Sequence, residues 1–377
     1  MRILYLIESL GVGGTEQGLV RMLRHLDRTR FQPEVAILWG PETLGPELEA
    51  MSVPIHRLRA RSGPGALLVI PLLVRLLRDG GFDVIHIALA WSSIIGPVAG
   101  RLAGKRVVVH VVNVDPEGRA FGSMSRSVAV KTRVVQALTE VIWRTSVDRF
   151  ISVSEAAVTL SHGRALRDRS KVSIVRRGQD LGDLEEASRR EVAPPIPVFG
   201  APALLAVGRL QPQKGQRFLI EAMATIRRRH PDVRLLIAGE GSERDGLESL
   251  CSREGVDDIV EFLGLRRDVP ALLRRSDVFV LPSLWEGNPN VMIEAMALGC
   301  SVVASDIPQI RESLVDGVSG VLVRPGDPVA LAAGILRLLA LLDHGDGLAT
   351  AAKAVVRERY DIRKTSRVLE GAYDSLV

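Results

Sequence analysis

Short apolar runs alternate with stretches of helical periodicity along most of the chain. In the first half, runs rich in β-branched residues predict strands at residues 2–9, 34–40, 83–89, 106–112 and 149–155. In the second half, similar runs predict strands at residues 203–208, 234–239, 259–264, 278–283, 301–306 and 320–325. Strands that are apolar throughout and separated by helices are typical of parallel sheets covered on both faces. The pattern therefore predicts an α/β protein with two doubly wound sheets.

The alternation breaks once, near the middle of the chain. Residues 185–202 are charged and then rich in proline, with no periodicity, and they predict a linker. We expect an N-terminal domain over 1–184 and a C-terminal domain over 203–357, because 377 residues are long for one hydrophobic core. Two successive doubly wound domains imply a cleft between them, and such sheets bind ligands beyond the carboxyl ends of their strands.

The charge of the chain is divided unevenly. Residues 1–190 carry 27 Lys and Arg against 19 Asp and Glu, whereas residues 191–377 carry 22 against 25. The first half would therefore be the part that meets a polyanion or an anionic membrane surface. Nucleic acid is disfavoured, because aromatic residues make up only 4% of the chain and no nucleic-acid-binding motif is present.

The cysteines and the apolar runs bear on the cellular setting. Cys251 and Cys300 match neither a disulfide framework nor a metal-binding spacing, which predicts a reducing, intracellular environment. The N-terminus does not show the pattern of a signal peptide. The longest apolar run, residues 66–74, is too short to cross a bilayer.

Residues 283–299, "SLWEGNPNVMIEAMALG", carry two carboxylates within an apolar stretch. We expect Asn288 to cap a helix with Pro289 at its first position. Glu286 would then lie in front of the helix and Glu294 in its second turn, where both can accept hydrogen bonds from hydroxyl groups. The alternative is that Glu286 is a surface acid and Glu294 complements the helix dipole.

The stretch "VGRLQPQKGQ", residues 207–216, places two cations in a loop between a strand and a helix. Arg209 and Lys214 could neutralise a pyrophosphate there, and the alternative is that they are solvated loop charges. The glycine turn "AGEGSER", residues 238–244, is a weaker signal of the same kind.

The stretch "LGVGGTEQG", residues 10–18, follows the first strand. Gly13 and Gly14 let the backbone approach a ligand, and the free N–H groups of the following helix favour an anion. The alternative is a tight strand-to-helix turn. His110 lies on a strand that could end at the cleft, although a neutral core histidine is the more common situation.

Together these motifs resemble the retaining, nucleotide-sugar-dependent glycosyltransferases of the GT-B fold, of the family 4 or group 1 type. The resemblance covers nearly the whole chain and is most specific at the E-x7-E pair, Glu286 and Glu294, and at the phosphate loop "VGRLQPQKG". It implies two Rossmann-like domains that face each other across a cleft. It also implies that a C-terminal helix, within 358–377, packs back onto the N-terminal domain.

The resemblance also implies roles for individual residues. Glu286 would bind the donor sugar, Glu294 the ribose, and Arg209 and Lys214 the diphosphate, which they would stabilise as it leaves. The implied donor-binding residues are Gly13, Gly14, Arg209, Lys214, Glu286, Gly287, Asn288, Asn290, Val291 and Glu294. The implied catalytic residues are Glu286, Arg209, Lys214 and His110. No metal and no cofactor are expected, because the cations take the place of magnesium.

The activity implied is transfer from a UDP- or GDP-sugar to a glycan or a polyprenyl-diphosphate-linked acceptor, in the synthesis of bacterial surface polysaccharide or glycolipid. The expected location is the cytoplasm, with peripheral binding to the inner face of the plasma membrane. Residues 64–79 and 121–145 could be interfacial helices there, or ordinary packing helices.

Two departures from the family pattern leave an alternative open. Relatives carry a histidine or arginine near the position of Val112, whereas this chain has His110, and they carry Asn-Gly where this chain has Arg177 and Gly178. The alternative is a non-catalytic relative that binds a nucleotide sugar and acts as a partner subunit. An epimerase on the same fold is disfavoured, because no acid and base pair is evident in the first domain.

Overall fold

The computed structural model describes residues 1–11, 13–89, 91–111, 126–160, 164–196, 202–342 and 347–376, and only the backbone of residues 126–134. The chain forms two compact units. Unit 1 comprises Met1–Gly178 and Ile362–Val377, and unit 2 comprises Gln179–Asp361. Residues 179–196 therefore belong to unit 2. The first residues of the predicted linker 185–202 are helical, because they continue a helix that begins at Leu181.

Unit 1 is built on a seven-stranded parallel sheet. Its strands are β1 (Arg2–Ile7), β2 (Gln32–Ile37), β3 (Ile55–Arg57), β4 (Val84–Ala88), β5 (Arg106–Val111), β6 (Arg149–Ser152) and β7 (Val172–Ile174). Their order in the sheet is β3-β2-β1-β4-β5-β6-β7. The helices are α1 (Gly14–His25), α2 (Gly45–Ala50), α3 (Ile70–Asp79), α4 (Ser92–Leu102), α5 (Arg126–Ser146), α6 (Glu155–Leu160) and the last helix of the chain, α15 (Ile362–Asp374). The sheet order reverses between β1 and β4, as in other doubly wound folds.

Both faces of this sheet are buried, as the continuous apolar runs predict. Along β1, Leu4 and Leu6 face one hydrophobic core, while Ile3 and Ile7 face the other. Helices α3 and α4 contribute to the first core, and α1 and α15 to the second.

The C-terminal helix α15 is joined to the sheet of unit 1 by polar as well as apolar contacts. The Tyr373 hydroxyl lies 2.8 Å from the Tyr5 hydroxyl and 2.5 Å from His86 Nδ1, and all three side chains are buried. Burial lowers the pKa of His86 to about 3, so this imidazole is neutral.

Unit 2 is built on a six-stranded parallel sheet in the order β10-β9-β8-β11-β12-β13. Its strands are β8 (Ala203–Val207), β9 (Arg234–Ala238), β10 (Val260–Gly264), β11 (Val278–Leu281), β12 (Ser301–Ser305) and β13 (Val321–Val323). Its helices are α7 (Leu181–Ser188), α8 (Gln216–Arg227), α9 (Arg244–Glu254), α10 (Val269–Arg275), α11 (Asn290–Leu298), α12 (Pro308–Arg311), α13 (Pro328–Leu342) and α14 (Leu348–Arg359). The sheet order reverses between β8 and β11, so the loops after these two strands meet at the switch point where such folds bind ligands.

The predicted fold class, α/β with two doubly wound parallel sheets, is confirmed, and each predicted strand overlaps an observed one. The prediction missed β3 and β7. Each of them is three residues long and lies at an edge of the sheet in unit 1, too short to give a recognisable apolar run. In the part of the chain that the structure describes, we find no helix with the length and hydrophobicity needed to cross a membrane.

Candidate functional site

The loop after β8 carries Arg209 and Lys214, the two cations that the sequence pattern predicts. After Gly208 the chain runs past Arg209 and forms a short 3₁₀ helix, Pro212–Lys214, before α8 begins. Arg209 is exposed, whereas the side chain of Lys214 is 19% exposed. The loop therefore directs one cation to solvent and the other into the unit.

Glycines allow this loop to lie close to its neighbours. Gly215 has a φ of +64°, and a Cβ there would lie 2.1 Å from the carbonyl oxygen of Pro282, just after β11. A Cβ on Gly239 would lie 1.9 Å from the carbonyl oxygen of Gly208. The turn at 238–244, a weak signal in the sequence, thus supports the loop that carries Arg209 and Lys214. Any larger residue at either glycine would push the backbones apart.

Lys214 and Glu286 form an ion pair between the loops after β8 and β11. Lys214 Nζ lies 2.6 Å from Glu286 Oε1, and the Ser283 hydroxyl donates to the same oxygen at 2.6 Å. The Glu286 side chain is 5% exposed. Both bonds reach Oε1, so within the described chain Oε2 keeps its capacity to accept a hydrogen bond from a ligand.

Backbone contacts join the same two loops. The Leu284 N–H donates to the Gln213 carbonyl at 2.8 Å, and Gln213 Nε2 donates to the Trp285 carbonyl at 2.9 Å. Sequence reasoning missed Ser283 and Gln213. Each is adjacent to a predicted residue or within its motif, but nothing in the local pattern marks either as a partner.

The start of α11 differs from the prediction. Pro289 is the cap residue rather than the first helical residue, and α11 begins at Asn290. Asn288 does not cap the helix, since no side chain forms a cap hydrogen bond at this end, and Asn288 Nδ2 donates to Asn290 Oδ1 at 2.5 Å. Gly287 and Asn288 are both partly buried in the loop that leads from Glu286 to the helix.

The first turn of α11 offers backbone donors, although not all those predicted. The N–H of Asn290 already donates to the Asn288 carbonyl at 2.9 Å. Within the described part of the chain, the N–H groups of Val291 and Met292 have no acceptor, as is usual in the first turn of a helix. Glu294 lies in the second turn, as predicted, and is partly buried.

The other predicted residues lie in unit 1. Gly13 is the cap of α1 and Gly14 its first residue. His110 lies on β5, and Val112 lies outside the described residues. Burial, with His86 and Arg177 nearby, holds the pKa of His110 well below its usual range, so this imidazole is neutral. The described residues contain no group of three or more His, Cys, Asp or Glu side chains arranged to hold a metal ion.

Two family models match the chain, one in each half. The model "Glycosyltransferase Family 4" matches residues 12–183, and the model "Glycosyl transferases group 1" matches residues 201–341. The second match contains Arg209, Lys214 and Glu286.

Curated relatives are glycosyltransferases. The chain is 30% identical, over 62% of its length and 60% of the relative, to the UDP-Gal:alpha-D-GlcNAc-diphosphoundecaprenol alpha-1,3-galactosyltransferase of Escherichia coli. It is 32% identical, over 62% of its length and 54% of the relative, to the glycogen synthase of Mycobacterium tuberculosis. It is 29% identical, over 87% of its length and 74% of the relative, to the D-inositol 3-phosphate glycosyltransferase of Salinispora tropica. The matches to the first two therefore span little more than half of those relatives.

Solved structures share the fold over the whole chain. Anabaena Alr3699/HepE in complex with UDP and glucose has a TM-score of 0.79 at 22% identity, with both chains fully covered. The lipopolysaccharide outer core galactosyltransferase WaaB in its apo form has a TM-score of 0.73 at 17% identity, again with both chains fully covered. These likenesses establish the GT-B fold.

Proposed function

The chain belongs to the glycosyltransferases, with a family 4 domain followed by a group 1 domain, and we propose that it is a retaining enzyme that uses a nucleotide-sugar donor. The donor would be a UDP- or GDP-sugar, and the acceptor a glycan or a polyprenyl-diphosphate-linked sugar in bacterial surface polysaccharide or glycolipid synthesis. The observation that carries the proposal is the Lys214–Glu286 ion pair, which lies at the switch point of the sheet in unit 2.

The donor diphosphate would bind to the loop after β8. Lys214 supplies a cation that is already oriented by Glu286, and Arg209 supplies an exposed guanidinium that can bind two phosphate oxygens. The N–H groups of Val291 and Met292 would add donors at the positive end of the α11 dipole. These groups would stabilise the diphosphate as it leaves, so we propose that the reaction requires no metal and no further cofactor.

The carboxylates would bind the donor's hydroxyl groups. Glu286 Oε2 can accept a hydrogen bond from the sugar while Oε1 remains bound to Lys214 and Ser283. Glu294, in the second turn of α11, would bind the ribose hydroxyls. We propose UDP as the nucleotide, because the E. coli relative is named as a transferase of UDP-Gal and HepE was solved in complex with UDP.

Unit 1 would bind the acceptor. The backbone at Gly13 and Gly14, at the start of α1, would complete the donor site, and His110 would lie beside the reacting hydroxyl. In a retaining transfer the acceptor hydroxyl attacks the anomeric carbon from the face that the diphosphate leaves. The bond to the diphosphate oxygen breaks, and the hydroxyl proton passes to that departing oxygen. Positioning and leaving-group stabilisation would provide most of the rate enhancement.

An exposed apolar surface of unit 1 fits an anionic membrane. Six apolar side chains of the 3₁₀ turn before α3, of α3 and of α5 are exposed: Leu67, Leu68, Leu72, Val135, Leu138 and Val141. Helices α3 and α5 both pack against α4. Unit 1 also carries 28 Lys and Arg against 17 Asp and Glu, and Arg75 and Arg144 are exposed on the same two helices. We therefore propose peripheral binding to the cytoplasmic face of the membrane, where a lipid-linked acceptor would be available.

The donor assignment is tested by calorimetry with a panel of UDP- and GDP-sugars in the presence of a metal chelator. We expect one donor to bind the wild type and to lose at least tenfold in affinity in Lys214→Ala. Arg217→Ala is the matched control, because its exposed cation pairs with Glu221 on α8. Equal donor affinity in Lys214→Ala and wild type would contradict the assignment.

The membrane assignment is tested by co-sedimentation with phosphatidylcholine vesicles that contain or lack phosphatidylglycerol. We expect binding to the anionic vesicles only, and weaker binding by the double variant Leu68→Gln/Val141→Gln. Val329→Gln in unit 2, another exposed apolar site, is the control. Equal binding to both vesicle types by every variant would rule out this surface.

The alternative is a non-catalytic relative, favoured by Arg177 at the position where relatives carry asparagine. Slow hydrolysis of the bound donor in the absence of acceptor distinguishes the two functions. The enzyme should show it, and the binding protein should show none.

A further inference from the structure

A small cavity lies inside unit 1, between α1, the carboxyl ends of β1, β4 and β5, and the first turns of α15. Its volume is about 50 Å³, room for a few water molecules or one small ion. The polar residues that line it include Thr15, His86, His110, Arg176, Arg177 and Ser366. None of the proposed nucleotide-sugar-binding residues of unit 2 lines this cavity.

Some buried polar atoms in this lining have no hydrogen-bond partner among the described residues. Among them are His110 Nε2 and the hydroxyl oxygen of Ser366, whose residue is only 3% exposed. A buried donor or acceptor without a partner costs free energy, so most such atoms in folded proteins are paired. Two of them in the wall of one cavity indicate that a polar group completes their bonding.

Arg177, beside Arg176 in the same lining, gives the cavity a positive charge. Its Nη2 donates to the Thr15 hydroxyl at 2.9 Å, and no other hydrogen bond or ion pair of its side chain occurs in the described chain. Burial, opposed by Glu16 and assisted by the nearby Arg21, lowers the pKa of Arg177 to about 10, and Glu16 does not come within ion-pair distance. The guanidinium thus keeps several N–H donors and a positive charge that no carboxylate neutralises.

We infer that this cavity binds a small oxyanion of the phosphate class, held by the Arg177 guanidinium, the Ser366 hydroxyl and His110 Nε2–H. Neutral histidine can carry its proton on Nε2 and donate from it. An arginine that is fixed through Thr15 can offer two parallel N–H groups to one phosphate. Such an anion would bond to both unpaired atoms and neutralise the partly buried charge of Arg177.

The anion has two possible sources. It could be a free phosphate ion, or a phosphate group carried by the molecule that unit 1 binds as acceptor. The site itself does not depend on the proposed glycosyl transfer, since it is assembled from unit 1 alone.

The test is calorimetric titration of the full chain with inorganic phosphate. We expect saturable binding by the wild type, retention of that binding in Lys214→Ala, and at least a tenfold loss in Arg177→Gln. Ser366→Ala should weaken binding by a smaller factor and serves as a second variant. Arg75→Gln, which removes an exposed cation of α3, is the control and should bind as the wild type does.

Three results would overturn the inference. These are the absence of saturable binding by the wild type, unchanged affinity in Arg177→Gln, and loss of binding in Lys214→Ala alone, which would assign the phosphate to unit 2. Thermal unfolding of each variant without phosphate is the folding check. We expect Arg177→Gln to be at least as stable as the wild type, because it removes a partly buried charge that has no carboxylate within ion-pair distance. Phosphate should raise the unfolding temperature of the wild type, Lys214→Ala and Arg75→Gln, and leave that of Arg177→Gln unchanged.

Titration with glycerol 3-phosphate separates the two sources. A monoester that binds through Arg177 at least tenfold more tightly than inorganic phosphate indicates a group carried by the acceptor. Equal or weaker binding of the monoester indicates the free ion. Donor titration with a UDP-sugar in Arg177→Gln shows separately whether the site in unit 2 functions, so failure of one assignment is distinguishable from failure of the other.

Discussion

Replacing Lys214 by alanine should destabilise unit 2 as well as weaken donor binding. The variant leaves the Glu286 carboxylate, 5% exposed, with the Ser283 hydroxyl as its remaining bond. At 2.6 Å and an effective dielectric constant of about 20, the gross attraction of the ion pair is about 6 kcal/mol, most of which the desolvation of the two charges offsets.

The net loss in Lys214→Ala follows from the carboxylate that is left behind. Removing one partner of a fully buried ion pair costs about 3–5 kcal/mol. Lys214 is 19% exposed, so water can enter the space that its side chain vacates, and we expect about 2–3 kcal/mol. For a unit of this size the loss lowers the unfolding temperature by about 4–12 °C.

Differential scanning calorimetry of a double-mutant cycle measures this coupling. The cycle compares wild type, Lys214→Ala, Glu286→Gln and the double variant. We expect the double variant to be about 1–2 kcal/mol more stable than the sum of the single effects predicts, because it no longer leaves a buried charge. Arg217→Ala, which breaks an exposed pair, should cost less than about 0.5 kcal/mol. Additive effects, or an unfolding temperature of Lys214→Ala within about 1 °C of the wild type, would refute the reasoning.

Three further predictions address the glycines, acid stability and the ribose site. Gly215→Ala should cost more than about 2 kcal/mol and abolish donor binding in calorimetry, because its Cβ would lie 2.1 Å from the Pro282 oxygen. Gly246→Ala on α9, with nothing within 4 Å of the new Cβ, should be neutral or stabilising by up to about 1 kcal/mol. The pKa of His86 falls from 6.5 to about 3 on folding, so the unfolded chain binds the proton more readily. His86 therefore costs no stability above pH 6.5 and about 2 kcal/mol at pH 5. Between these two pH values the free energy of unfolding should fall less in His86→Gln than in the wild type. Equal losses in the two proteins would contradict this. Glu294→Ala should lower UDP-sugar affinity about 10- to 100-fold in calorimetry with an unchanged circular dichroism spectrum, and unchanged affinity would refute the ribose assignment.

The sheets could be predicted because their strands are buried on both faces. Such strands give apolar runs that local sequence reveals, and β1 and β8 are clear examples. The edge strands β3 and β7 were not predicted, since each pairs with only one neighbouring strand and is three residues long. Their pairing depends on contacts with distant parts of the chain rather than on a run of their own.

The start of α11 shows where local rules fail. Asparagine followed by proline predicts a cap and a first helical residue, but α11 begins one residue later, at Asn290, and the Asn288 amide N–H donates to the Asn290 side chain. The direction in which the Asn288 side chain points is decided by the geometry of the folded loop. Propensities that describe one residue at a time do not contain that geometry.

The pattern of residues along the chain was enough to predict the fold class and the chemical types at the candidate site: glycines in the tight turns, cations after β8 and carboxylates around α11. Periodicity and composition are local properties of the chain and can be read without a structure. The partners of these residues became known only from the folded chain. Lys214 and Glu286 meet across 72 positions because the sheet order brings β8 next to β11. Arg177, Ser366 and His110 line one cavity because α15 packs onto unit 1. Contacts between distant residues depend on which strands pair and which helices pack, and no local pattern records that choice.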